Sequence, residues 1–91
     1  MNLESLRQEI DNYDKQIIKA LAERMLVVEK VAETKKAANA TAMQKNRWQE
    51  LLATRSEWGQ EVGLPKEDIK QIFECIHDMS VSRQLQILED N

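Results

Sequence analysis

The sequence has very little of the material from which β-turns, disulfides and metal sites are made. It contains two glycines, one proline, one cysteine and one histidine in 91 residues. The single cysteine, Cys75, excludes an internal disulfide and a cysteine-based metal site, and it fits a reducing compartment. One histidine cannot form a His pair, and inward-facing carboxylates do not cluster, so no metal site is predicted. Strand signals are missing as well, and the chain is expected to be all-α.

Charge and hydropathy exclude further classes of protein. The net charge of −3 leaves no basic excess to neutralise phosphates, which argues against a nucleic-acid partner. No apolar run approaches the roughly 18 residues of a membrane span, and the first residues lack a signal-peptide pattern. The length predicts one domain. We therefore expect a single helical domain over residues 1–91, located in the cytoplasm, with neither nucleic acid nor membrane as a partner.

Three helices are predicted from the spacing of apolar residues and from the breaks between them. The expected ranges are Asn2 to about Ala38, Ala42 or Met43 to Glu61, and Pro65 to Leu88. The apolar stripe of the second helix contains Met43, Leu51, Trp58 and Val62, flanked by Trp48 and Leu52. That of the third contains Ile69, Ile72, Phe73, Ile76 and Ile87.

The helix ends are predicted from individual residues. Asn2 is a good N-cap for the first helix, and Asn39 is expected to stop that helix at its C-terminus. Thr41 is a candidate cap for the second helix. Gly63 gives a flexible break before the third helix, in which Pro65 is expected at the first helical position.

The first helix is too long for a compact domain of this size. Its stripe is formed by Leu3, Leu6, Ile10, Tyr13, Ile17, Leu21, Val28 and Val31. Roughly 35 residues at about 1.5 Å per residue span about 50 Å, whereas a compact chain of this length has a radius of gyration near ~12 Å. Part of the helix should therefore extend beyond its own domain, and a second copy of the chain is the simplest way to bury the apolar stripe of that part. We therefore predict an intertwined, two-fold symmetric homodimer that forms a helical bundle.

Several polar side chains fall on the apolar faces of these helices. They are Arg24, Lys35 and, near the edge, Arg7 on the first helix, Gln44 and Arg47 on the second, and Ser80 and Gln84 on the third. Burying an unpaired cation costs several kcal/mol, and no acidic residue lies equally deep. Each cation could still reach water along its aliphatic stem, or pair with a glutamate of a neighbouring helix. The whole set indicates an anionic ligand, with arginines holding carboxylate or phosphate groups.

These residues are mainly hydrogen-bond donors, and this limits the reactions that they can support. A nucleophilic pair is not supported, because Cys75 and His77 lie two residues apart on a helix and do not face each other. His77 is expected to be a packed or rim residue, and glycine-rich phosphate loops are missing. An enclosed set of donors can stabilise negative charge that develops on an oxygen. It can also hold the two ends of a flexible substrate close together.

The spacing of these residues matches a known family. The stretch L-R-Q-E-I-D-x-x-D-x-x-I-x-x-x-L-x-x-R, from Leu6 to Arg24, resembles the first-helix signature of the all-helical (AroQ-class) chorismate mutases. Lys35 and Arg47 follow Arg24 at the spacing of that family. Near the C-terminus, S-V-S-R-Q places Ser80 and Gln84 at its serine and glutamine positions. The resemblance covers nearly the whole chain without gaps.

This resemblance implies a fold, a reaction and a set of roles. The fold is an intertwined helical dimer with two equivalent sites. The enzyme is an isomerase of aromatic amino-acid biosynthesis, which rearranges chorismate to prephenate by a concerted pericyclic shift without cofactor or covalent intermediate. The substrate carboxylates would be held by Arg24, Arg47, Arg7 of the partner subunit and, in an assisting role, Ser80. Lys35 and Gln84 would donate hydrogen bonds to the ether oxygen as its bond breaks.

Two positions depart from the family pattern. An acidic residue is common where Gln44 stands, and a glutamate where Trp48 stands, both near the ring hydroxyl of the substrate. Gln44 can still bind a hydroxyl, whereas Trp48 has no acceptor, and packing in the core or the dimer is an equal reading of it. A related lyase that splits pyruvate from isochorismate therefore stays open as an alternative. So does a non-catalytic helical module that dimerises or binds an effector.

Overall fold

The computed structural model describes residues 2–41 and 44–90. Within these ranges the chain forms three helices and no strand, as the sequence predicts. They are α1 (Leu3–Ala37), α2 (Lys45–Glu61) and α3 (Lys66–Glu89). None of the helices described is long and apolar enough to cross a membrane.

The N-termini of the helices confirm one predicted cap and correct two. The side chain of Asn2 accepts a hydrogen bond from the Ser5 amide at 2.8 Å, which caps α1. Thr41 does not cap α2, because the extended residue Gln44 precedes that helix and its side chain makes no capping bond. Pro65 is the N-cap of α3 and not its first residue, since its ψ of 133° is extended.

The expected start of α2 at Ala42 or Met43 lies outside the described residues, as does the place of Met43 on the apolar stripe. The helix begins at Lys45.

The C-termini of α1 and α2 are closed by residues in the left-handed region. Asn39 has φ 56° and Gly63 has φ 82°. After α1, the Ala40 amide donates to the Lys35 carbonyl at 2.8 Å, and α2 ends in the same arrangement. This is a Schellman motif, which asparagine and glycine tolerate because their left-handed conformation has little strain. The predicted stop at Asn39 is confirmed.

The three helices form a single layer. α3 lies between α1 and α2 and packs on both. The chain measures 55 × 26 × 14 Å, and its radius of gyration is 16.3 Å. The smallest extent is close to the ~10–12 Å diameter of one helix, so both faces of the layer are uncovered in the single chain.

The core of this layer is small. Among the described residues, the buried apolar side chains are Val28, Ala32, Leu51, Ile69 and Ile87. α2 and α3 approach each other closely at Gly59, where an added Cβ would lie 2.6 Å from Ile69 Cγ1. Residues 2–20 are exposed along their whole length.

Many residues of the predicted apolar stripes are therefore exposed in the single chain. On α1 this holds for Leu3, Leu6, Ile10, Tyr13, Ile17 and Val31. On the other helices it holds for Trp58, Val62 and Ile72. The α1 stripe was predicted to be covered by a second copy of the chain, and that stays a prediction. Trp58, Val62 and Ile72 likewise lie on faces that the single chain leaves exposed.

Candidate functional site

A cavity of about 130 Å³ lies where the three helices meet. Its lining residues are Arg24, Val28, Val31, Lys35, Gln44, Arg47, Leu51, His77, Ser80 and Gln84. Every site residue predicted from the sequence is among them except Arg7. That arginine lies on the exposed N-terminal half of α1.

A wider groove of about 710 Å³ runs along the other side of the α1–α3 contact, and it is a weaker candidate. Its charged side chains are of both signs, and several of them already bind protein groups. Lys36 Nζ donates to the Ile87 carbonyl at 3.2 Å, and Arg83 pairs with Glu29 at 3.4 Å. The groove therefore offers no concentration of charge of one sign.

Arg24 and Ser80 form the first polar contact across the cavity. Arg24 Nη1 donates to Ser80 Oγ at 2.5 Å, and Ser80 Oγ donates to the Ile76 carbonyl at 2.8 Å. The hydroxyl proton of Ser80 is thus used within α3, while its oxygen orients the guanidinium. Arg24 forms no ion pair with any residue that the structure describes.

Lys35 and Gln84 form the second contact. Lys35 Nζ donates to Gln84 Oε1 at 2.8 Å, and the Gln84 residue is 7% exposed. An ammonium group has donors and no acceptor, so the amide oxygen must face it. The amide nitrogen of Gln84 then points the other way, as a second donor.

Arg47 departs from the sequence-based expectation. It pairs with Glu50 at 2.7 Å, and the side chains are 51% and 61% exposed. The helical periodicity predicted an inward-facing cation at this position. Because residues three apart share a helix face, Glu50 meets it at the surface. Gln44, at the N-cap of the same helix, is exposed as well.

Positive charges around the cavity disfavour one another. Burial lowers the pKa of Arg24, and the neighbouring Arg55 and Arg47 lower it further. Burial also lowers the pKa of Lys35. The pKa of Arg55 is lowered by burial and by Arg47, although Glu50 acts in the opposite direction. A bound anion would relieve this repulsion. Arg55 was not among the residues predicted from the sequence, although it lies four residues after Leu51 and three before Trp58, on the same apolar stripe.

His77 lines the cavity and is packed against an aromatic side chain. Its ring stacks on Trp48 with the ring centroids 4.2 Å apart and the planes at 19°. Its position on α3 is three residues before Ser80 and seven before Gln84, which puts all three on one helix face. This spacing could have predicted from the sequence that His77 lines the cavity.

The surroundings of His77 favour its neutral form. Burial lowers the pKa of its imidazole, and the cations Arg24 and Lys35 lower it further. Asp78 opposes these effects. The neutral ring has one donor and one acceptor nitrogen. It is therefore the only aromatic group of the described cavity lining that can accept a hydrogen bond.

The arrangement fits one kind of chemistry. Guanidinium, ammonium and amide donors come from two helices and converge on a half-enclosed space. Such a set can hold carboxylates and stabilise charge on an oxygen between them. The fold and the cavity together define a helical protein with a cavity lined by cationic and amide donors.

Comparison with known proteins identifies the family. Residues 6–85 match the family model of chorismate mutase type II. The chain is also 36% identical over 83 residues to the bifunctional chorismate mutase/prephenate dehydratase of Buchnera aphidicola subsp. Acyrthosiphon pisum. The alignment covers 91% of this chain and 22% of the relative, so the chain spans about a fifth of that protein's length. The chain belongs to the type II chorismate mutase family, and the resemblance noted in its sequence is confirmed.

Proposed function

We propose that this chain catalyses the rearrangement of chorismate to prephenate, as a step of aromatic amino-acid biosynthesis. Membership of the family supports the activity, and the name of the Buchnera relative includes it. The observation that supports it best within the chain is the bond from Lys35 to Gln84. Because the bond occupies the amide oxygen, the amide nitrogen of Gln84 is left to donate beside a cation. Two such donors are what a developing oxyanion requires.

In this proposal the arginines bind the two carboxylates of the substrate. Arg24 is oriented by Ser80 and forms no ion pair with a described residue, so a substrate carboxylate can bind it bidentately. Arg47 is held by Glu50 in an exposed pair, which is a weak interaction that a carboxylate can replace. Arg7 of the partner subunit completes the binding.

Catalysis would come from Lys35 and Gln84. As the C–O bond of chorismate breaks, negative charge grows on its ether oxygen, and both donors bind that oxygen more strongly than in the ground state. Only interactions that strengthen in the transition state raise the rate of the chemical step. Binding the two carboxylates also holds the ends of the side chain and the ring in a reactive geometry. The mechanism uses no covalent intermediate and no cofactor.

The active form in this proposal is an intertwined homodimer. Residues 2–20 are exposed in one chain, and the layer is only 14 Å thick. The apolar stripe of α1 would be buried against a second chain, since apolar burial is the main driving force for association. Arg7 would then reach the cavity of the partner subunit. We further propose that residues 1–91 act as one domain, in the cytoplasm.

A direct assay of the whole chain tests this function. Chorismate should disappear in an ultraviolet assay, and acid treatment of the product should yield phenylpyruvate. Salicylate fluorescence from isochorismate would instead identify the chain as a lyase. Binding of chorismate without turnover would leave a non-catalytic binding module.

A further inference from the structure

Building on the proposed mutase function, we propose that His77 is a substrate-binding residue. Its imidazole accepts a hydrogen bond from the ring hydroxyl of chorismate. The role would take the place of the carboxylates that the family has near this hydroxyl, at positions where this chain has Gln44 and Trp48.

The hydrogen-bonding groups of the cavity lead to this assignment. Arg24 is a donor only, and so is Lys35. Gln84 has its oxygen bonded to Lys35, which leaves the amide nitrogen as its donor. The oxygen of Ser80 already accepts from Arg24, and its proton goes to the Ile76 carbonyl. These groups suit the carboxylates and the ether oxygen of the substrate, which are acceptors.

The ring hydroxyl is the group of this substrate that donates, and it needs an acceptor. Among the side chains that the structure places around the cavity, Gln44 and His77 are the ones with an acceptor to give. Trp48 stacks on the imidazole, and its indole can only donate. Gln44 is exposed at a helix N-cap, whereas the ring of His77 is held in place by the stack.

The nitrogen of His77 has no partner within the chain. Nε2 is buried and forms no hydrogen bond with any residue that the structure describes. An unpaired buried nitrogen is unfavourable, so a partner from the ligand stabilises the complex. Protein atoms cover Nε2 in the single chain, so neighbouring side chains must move for the substrate hydroxyl to reach it. Burial lowers the pKa of the imidazole, which favours the neutral form that an acceptor must have.

The test compares two substrates on matched variants. Leu is close to His in size but has no acceptor, whereas Gln keeps an amide oxygen at about the reach of Nε2. His77→Leu should lower kcat/KM for chorismate about 10- to 100-fold. With the analogue in which hydrogen replaces the ring hydroxyl, kcat/KM should change less than about twofold. His77→Gln should retain most of the activity on chorismate.

The same comparison separates recognition from packing. An equal loss on both substrates would show that His77 is structural and would overturn the proposal. Cys75→Ala, an exposed position two residues away on α3, serves as the control and should keep full activity on both. If the intact chain turns over chorismate while His77→Leu loses nothing, the mutase function stands and the role of His77 does not.

A second measurement requires no variant. The chain has one histidine, so a nitrogen-15 spectrum of the labelled imidazole contains only His77. Before ligand is added, Nε2 should resonate as an unprotonated nitrogen. Saturating prephenate, the product, which also has the ring hydroxyl, should move that resonance upfield as Nε2 accepts a hydrogen bond. A protonated Nε2, or a resonance that prephenate leaves unchanged, would refute the proposal.

Discussion

Lys35 Nζ lies 2.8 Å from Gln84 Oε1, although the two residues are 49 positions apart in the chain. The bond joins the C-terminal part of α1 to the C-terminal part of α3. It also fixes which way the Gln84 amide faces, because the ammonium can only donate. The contact therefore sets the orientation of both proposed catalytic donors before any substrate binds.

Removing either donor should slow the chemical step. We expect Lys35→Ala and Gln84→Ala each to lower kcat about 100-fold or more, with a smaller change in KM, because the lost bond is strongest in the transition state. Steady-state kinetics on chorismate, with circular dichroism as a check of folding, provides the measurement. Lys30→Ala, an exposed lysine on the same helix, is the matched control. Full rates in both variants would refute the charge-stabilising mechanism.

The rate should fall at alkaline pH because of Lys35. Burial lowers the pKa of its ammonium below the ordinary 10.5 of lysine. The group donates only while protonated, so kcat/KM should decline as the pH rises through the lowered pKa. In Lys35→Arg the guanidinium stays charged over this range, and the remaining activity should lose the alkaline decline. An identical pH profile in this variant would assign the decline to another group.

Ser80 should act mainly through Arg24. Its oxygen accepts from Arg24 Nη1 at 2.5 Å, and hydrogen bonds to charged groups contribute about 1.5–3 kcal/mol. Ser80→Ala should therefore raise KM about tenfold, with less effect on kcat, since substrate binding needs an oriented guanidinium. Ser82→Ala, at an exposed position two residues on, should have no such effect. An unchanged KM in a folded Ser80→Ala protein would mean that Arg24 needs no orientation by Ser80.

A site built from two chains should show complementation. In a heterodimer of Arg7→Ala and Arg24→Ala subunits, one of the two sites carries both substitutions and the other carries neither. Each homodimer should be nearly inactive, and subunit exchange should restore up to half of the activity per heterodimer. Mixing and exchange can be followed with two differently tagged chains. Verified heterodimers without recovered activity would show that Arg7 does not act across subunits.

The periodicity of the sequence was sufficient to predict the helices and the buried polar residues of the cavity. Ser80 and Gln84 fall on the inner face of α3, and both are buried, at 3% and 7% exposure. Arg24 and Lys35 face them because the C-terminal half of α1, which includes the buried Val28 and Ala32, packs on α3. A helical wheel locates such residues reliably when their helix has a packed neighbour on that side.

Contacts between helices and contacts at the surface were harder to predict. The stack of His77 on Trp48 crosses from α3 to α2, and no spacing within one helix predicts it. The pair of Arg47 with Glu50 was missed because the wheel placed Arg47 on an inner face, although the side chain is half exposed. Trp58 and Val62 were predicted to lie on an apolar face, but they are exposed in one chain. The apolar pattern shows that a face is apolar, but it does not show which element covers that face.

The close approach of α2 and α3 at Gly59 should limit substitution there. A Cβ at this position would lie 2.6 Å from Ile69 Cγ1, so Ile69 or the helices must move. Overpacking of this kind costs about 1–3 kcal/mol. We expect Gly59→Ala to lower the free energy of unfolding by that amount, as measured by urea denaturation.

A double-mutant cycle tests whether the contact itself is responsible. Ile69→Ala removes the clashing atom, so Gly59→Ala should cost much less in that background. Gly63→Ala is the comparison, because its cost of about 1–2 kcal/mol arises from its left-handed backbone and should stay the same in the Ile69→Ala background. If Gly59→Ala is equally destabilising in both backgrounds, the cause does not lie in its contact with Ile69.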